Sequence, residues 1–362
     1  LNGGEYKLLD RIFHPALGFV AGLISLIVGF AAPIAATAIA LGKYLQAANP
    51  QLFPMPLVSG AILILVVSAF HAISLRVGGG FQNVMTVVKL LLMGALIVGG
   101  ITAGGGKPIP LQGEGLFSLV FSTGGAVGLV FVSYAYSGWN AAAYLAGETK
   151  DAPRKLPIAL ALGTGLVTLL YLVLTAVFLW YVPLSQMHGK IIVGHFAAVR
   201  IFGEQAGVYI SYGIAITLVS TLSGMIMSGP RVLTAVGEDY RRLRLLSGRT
   251  SSGAPLTGVL LQALLALIIM LFSGFDAIVT YVGVTLTATS ALTVTGVYVW
   301  RKTHPKVERP YKVFGYPLTP ALFIGLSGWM IAFACYEKPI SVLWGGVTIA
   351  LGFVCYLWLS RR

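Results

Sequence analysis

Charge is what this sequence has least of. Only 10% of its 362 residues are Asp, Glu, Lys or Arg, against roughly 25% in soluble domains. With 57% hydrophobic residues, too few charges exist to wrap an apolar core in a polar surface, which excludes a water-soluble globule. Cysteine is nearly absent. Cys335 and Cys355 both fall in apolar runs, so no disulfide framework or thiolate metal centre is expected, and both read as small packing side chains. The motifs of membrane-embedded proteases and nucleotide-driven pumps are missing too. No H-E-x-x-H, G-x-S-x-G or G-x-x-x-x-G-K-[ST] occurs, and Gly78–Gly80 and Gly104–Gly106 read as turns rather than phosphate cradles. The chain reads as not an enzyme, with no catalytic residue, metal or cofactor.

Long apolar runs are what the sequence has instead, at a mean hydropathy of +0.88. A bilayer core needs about 20 apolar residues per helix. Ten stretches qualify: 15–44, 57–75, 81–101, 117–146, 156–182, 208–236, 255–272, 275–300, 318–335 and 340–359. The expected fold is therefore all-α: a single polytopic membrane domain over residues 1–362 with ten transmembrane helices. The surplus length of the first, fourth, sixth and eighth predicts tilt or a break.

The net charge of +13 is a topology signal and not a nucleic-acid footprint. If the N-terminus is cytoplasmic and the spans alternate, 19 of the 24 lysines and arginines fall on the cytoplasmic side, as the positive-inside rule requires. That places both termini of this chain in the cytoplasm, in a plasma (inner) membrane, with anionic lipid as a secondary contact. The lipid bilayer is the expected partner, and no nucleic acid is. The outer loop 183–207 carries Ile191, Ile192, Phe196 and Val199, the pattern of a short amphipathic helix; a plain packed loop is the alternative.

Some polar features stand out inside the spans. Tyr134, Ala135, Tyr136, Ser137, Gly138, Trp139 and Asn140 lie in the middle of the fourth. Ser-Gly is a weak helix point, and unwound backbone at membrane depth survives only where it lines a cavity. The plainer reading is close helix packing at small residues. Lys89 sits inside the third span, where a charge faces a cavity or a partner, or else snorkels to the headgroups. Ser220, Thr221 and Ser223 cluster in the sixth, either back-bonding to their own helix or, in the sharper reading, bringing Ser223 against Lys89. His71, the one histidine within a span, reads as packed and hydrogen-bonded, and Asp276 as an interface residue.

At these residues the chain resembles the amino acid–polyamine–organocation superfamily of permeases, with their leucine-transporter-type fold. The matching stretches are Asn2–Tyr6 with Phe13-His14-Pro15; Gln82-Asn83 through Lys89-Leu90-Leu91; Tyr134–Asn140 with Glu148-Thr149-Lys150 and Pro153–Pro157; and Ser228–Val232 to Gly237-Glu238-Asp239. The resemblance implies two inverted five-helix repeats plus two further helices, with the ten spans here corresponding to family helices three to twelve. The chain begins at Leu1 and is expected to lack the first two helices, and with them part of the substrate site. By resemblance, the backbone of Tyr134, Ala135 and Ser137 receives the amine of a small-molecule amino acid, Trp139 and Asn140 shape and gate the pocket, and Lys89 stands where sodium-coupled relatives bind their cation, with Ser223 as the matching position on the eighth helix. The implied activity is secondary transport by alternating access, sodium-independent and coupled to exchange or to protons. The alternative is a non-transporting remnant or membrane scaffold.

Overall fold

The computed structural model describes residues 4–73, 78–107, 115–140, 149–248, 250, 253–309 and 311–360. The expected features at Asn2-Gly3, Arg76, Glu148, Arg249, Arg361 and Arg362, and the end of the fourth stretch past Asn140, lie outside these residues. Every regular element among them is helical.

A short helix, α1 (Gly4–Ile12), turns into α2 (Pro15–Ala48). Pro15 occupies the first turn of α2, and the His14 ring accepts the Ala16 N–H at 3.1 Å, so one orphan donor of the helix start is satisfied. The middle of α2, Ser25–Ala31, winds as a π-helix. Pro33 follows it, a residue that cannot donate back to its own helix and whose ring crowds the preceding turn. The wider π-turn accommodates that gap and turns Gly29 and Phe30 toward the centre of the protein.

Then come α3 (Pro56–Ile73) and α4 (Gly78–Thr102), followed by α5 (Leu116–Val120) and α6 (Thr123–Tyr136). The chain passes from α6 into a 3-10 turn over Ser137–Asn140, so the expected break in the fourth stretch falls where Ser-Gly weakens the helix. Next are α7 (Ala152–Tyr181), α8 (Leu184–Met187), α9 (Val193–Phe202) and α10 (Glu204–Ser228). After α10 the helix is re-initiated at Pro230 as α11 (Pro230–Asp239), and a 3-10 turn at Arg241–Ser247 leads to α12 (Leu256–Phe272). The remaining helices are α13 (Phe275–Thr303), α14 (Leu318–Glu337) and α15 (Pro339–Ser360).

Among the described residues, eight helices are long and apolar enough to cross a membrane. The two other expected stretches are α12, at 17 residues, and the interrupted α5–α6 segment. The amphipathic helix expected in the outer loop is α9, lying on α10 with the His195 ring 2.9 Å from Ser211 Oγ. Two local expectations are corrected. Gly78–Gly80 open α4 instead of forming a turn, whereas Gly104 and Gly105 do turn, both at positive φ. Cys335 and Cys355 are exposed on the outer faces of α14 and α15 and do not pack inward.

The core forms around α2, which contacts α3, α10, α12 and α13. Small residues let the backbones close in. A Cβ on Gly42 would lie 2.0 Å from the Pro56 carbonyl oxygen, and one on Gly60 would lie 2.6 Å from that of Ala38. At one end α1 is tied to α11: Asp239 accepts hydrogen bonds from the Tyr6 hydroxyl and the Lys7 ammonium. Beyond the opposite end of the apolar spans, Lys338 and Asp276 form an exposed pair at 3.3 Å, which fits the interface reading of Asp276.

Candidate functional site

Where α2, α4, α10 and the break after α6 converge, they border a partly open chamber of about 370 Å³. Gly29, Phe30 and Pro33 of α2 form one wall, Gln82 and Lys89 of α4 a second, and Ser220, Thr221 and Gly224 of α10 a third. Ser137 and Gly138, at the break, complete the lining.

The polar wall is built from helix geometry. Gln82 and Lys89 are seven residues apart, two turns, and so share a face of α4. Gln82 Nε2 donates to the Ser220 carbonyl at 2.9 Å, and Ser220 Oγ donates back to Gln82 Oε1 at 3.0 Å. Gly224 allows this reciprocal pair, since a Cβ there would come within 3.2 Å of Gln82 Nε2. Lys89 Nζ donates to Thr221 Oγ1 at 3.0 Å and more weakly to Ser220 Oγ at 3.5 Å. Thr221 can accept because its own proton goes to the Thr217 carbonyl at 3.2 Å. Lys89 is half-buried, with no carboxylate partner among the described residues. The result is an ammonium held by two hydroxyls on the wall of the chamber.

Not every expected site residue reaches this chamber. The correction concerns Ser223. Its hydroxyl is 2.7 Å from His71 Nε2, on the side of α10 away from Lys89, and Thr221 takes the place expected for it. Ser137 lines the chamber and donates its hydroxyl to the Tyr134 carbonyl at 2.8 Å, which occupies part of that carbonyl's accepting capacity. Tyr134 packs against the main core cluster. Tyr136 lies outside this chamber: it donates to Thr168 Oγ1 on α7 at 3.0 Å, meets the Tyr171 ring edge-on and lines a second recess against α13 and α14. Trp139 lines an outer recess with Thr164 and Thr168, Ala135 is exposed, and the backbone of Asn140 ends the 3-10 turn. The residues that sequence reasoning under-weighted are Gln82, Thr221 and Gly224. The i, i+7 spacing of Gln82 and Lys89 was the signal available for the first.

Stacked apolar helices long enough to cross a membrane define a multi-pass membrane protein. The family model of the amino acid permeases matches residues 1–360, and the chain belongs to that family. It is similar to b(0,+)-type amino acid transporter 1 of Mus musculus, 26% identical over 93% of this chain and 70% of the relative. It is also similar to the serine/threonine exchanger SteT of Bacillus subtilis (strain 168), at 27% identity over 97% of this chain and 80% of the relative. The large neutral amino acids transporter small subunit 2 of Mus musculus is 24% identical over 94% of this chain and 65% of its own length.

Proposed function

We propose that this protein is a secondary carrier for amino acids, sodium-independent and coupled to exchange or to protons, that works by alternating access in the plasma (inner) membrane with both termini of this chain cytoplasmic. The observation that carries the reading is Lys89. Its ammonium is hydrogen-bonded to Thr221 and Ser220 on the wall of a chamber bordered by the break at Ser137-Gly138. A charge placed there substitutes for a bound cation, and the broken helix offers backbone groups to the amine and carboxylate of a substrate. Exchange is supported by the similarity to SteT, a serine/threonine exchanger. The side of the membrane follows from the excess of basic residues at one end of the spans.

The test is uptake of radiolabelled amino acids into proteoliposomes holding the complete protein. Lys89→Ala and Ser137→Trp are expected to reduce uptake at least about a hundredfold, while both variants extract from the membrane as well as the parent. Parent-level uptake in both would overturn the site assignment. Dependence of the parent on a sodium gradient would overturn sodium independence.

A further inference from the structure

On the far side of the break lies a second chamber, of about 150 Å³, between α6, α13 and α14. It shares Ser137 and Leu286 with the chamber that holds Lys89, so these two residues stand as the partition between the two spaces. Its wall carries hydroxyls and, among the described residues, no charged side chain. Three of the hydroxyls are spent: Ser137 donates to the Tyr134 carbonyl, Thr287 to the Gly283 carbonyl and Tyr136 to Thr168 Oγ1. Three are not. Ser133 of α6, Ser290 of α13 and Ser327 of α14 make no hydrogen bond among the described residues. Ser327 is only 2% exposed, and its hydroxyl is not one of the fully occluded orphans, so what exposure it keeps is toward the chamber.

Ser327 is buried, and buried hydroxyls are rarely left unpaired; with the half-buried Ser133 and Ser290 it brings three hydroxyls from three different helices to one small space, which suits a polar occupant. We infer that this second chamber is the side-chain compartment of the carrier and selects small, uncharged, hydrogen-bonding side chains, those bearing a hydroxyl or a carboxamide. The inference rests on the carrier reading: the amine and carboxylate stay in the chamber with Lys89, and the side chain passes the partition at Ser137 and Leu286. A charged side chain would be buried there without a counter-charge. An aliphatic one would displace water and leave the serines unpaired, the asymmetry that lets a hydrogen-bonding site reject an isostere lacking the group. Among its apolar lining, Trp139, Phe323, Leu326 and Met330 limit the size of what enters.

Threonine and valine have nearly the same shape and differ in the hydroxyl, so their ratio of uptake reads the chamber directly. In proteoliposomes of the complete protein, threonine is expected to be taken up at least about tenfold more efficiently than valine. The ratio is expected to fall toward one in Ser290→Ala and Ser327→Ala, and to be largely kept in Ser327→Thr, which retains the hydroxyl. A parent that transports threonine and valine equally overturns the compartment and leaves the carrier reading standing. A ratio unchanged in both alanine variants also overturns it, the chamber then holding water only. If neither amino acid is taken up nor raises the melting point of the purified protein, while other amino acids are transported, the compartment alone is lost. Failure of every amino acid in both assays brings down the carrier reading, and the compartment with it.

Discussion

α2 and α7 look alike as sequence and behave oppositely in the fold. Their best windows have mean hydropathies of 2.3 and 2.2, yet 83% of the first is buried in the protein and 6% of the second. Side-chain size separates them. α2 carries Ala31, Ala32, Ala35, Ala36, Ala38, Ala40 and Gly42 on its packed surfaces, and small residues let backbones approach to van der Waals contact. α7 carries Leu162, Leu166, Leu169 and Leu172, all at least half exposed. In a bilayer, lipid tails are as apolar as leucine, so a leucine-rich face gains little by packing on another helix. Hydropathy states that a segment enters the membrane, and the distribution of small residues states whether protein or lipid surrounds it.

The sharpest way to break this comparison is to put bulk into both helix environments. Gly42→Leu on α2 places a side chain where the Pro56 carbonyl oxygen already stands, 2.0 Å from the new Cβ, and is expected to abolish monodisperse protein after detergent extraction. Gly165→Leu on α7, where a Cβ meets nothing within 4 Å, is expected to leave yield and melting point unchanged. Equal behaviour of the two would show that small residues on α2 are not what admits its neighbours.

A smaller effect is expected where the packed region buries a charge outside the spans. Glu5 on α1 is 3% exposed, its Oε1 has no hydrogen-bond partner, and burial pushes its carboxyl from 4.5 up to about 7. A carboxyl whose folded value is raised binds its proton more tightly in the folded state. Its burial is therefore free of charge cost below pH about 4.5, and stability falls as pH rises from there to about 7. The full cost is on the order of 3 kcal/mol above that range, at about 1.4 kcal/mol per unit. Glu5→Gln is expected to raise the melting point at pH 8 and leave it unchanged at pH 4.5. A gain that is the same at both pH values would show that ionisation is not its source.

Smallest is the contrast on trimming side chains. Ile34 of α2 is fully buried and Leu169 of α7 is 60% exposed. Ile34→Ala opens a cavity and is expected to cost about 2 kcal/mol, whereas Leu169→Ala exchanges one lipid contact for another and is expected to cost less than about 0.5 kcal/mol. Thermal melts of the two variants side by side distinguish them.

The helical content and the place of the spans were legible because each depends on a local run of apolar residues. The last two stretches, expected at 318–335 and 340–359, are helices over Leu318–Glu337 and Pro339–Ser360. The break was legible at Ser137-Gly138 because a weak helix point sits amid polar and aromatic residues. The partner of Lys89 was not. Thr221 and Ser223 are two residues apart, about 200° around a helix, so one faces α4 when the other faces away, and nothing in the local sequence chooses between them. Nor did α7 reveal in advance that Tyr136 would reach Thr168.

By itself, the sequence determined that the chain enters a membrane many times and that one span is interrupted. Each of these is a relation between a segment and its solvent, which the segment's own residues decide. The tertiary structure alone decided which helix is wrapped by protein, which hydroxyl meets Lys89, and that unpaired serines from three helices share one chamber. Those are relations between segments, set by how small residues let the helices rotate and close on one another.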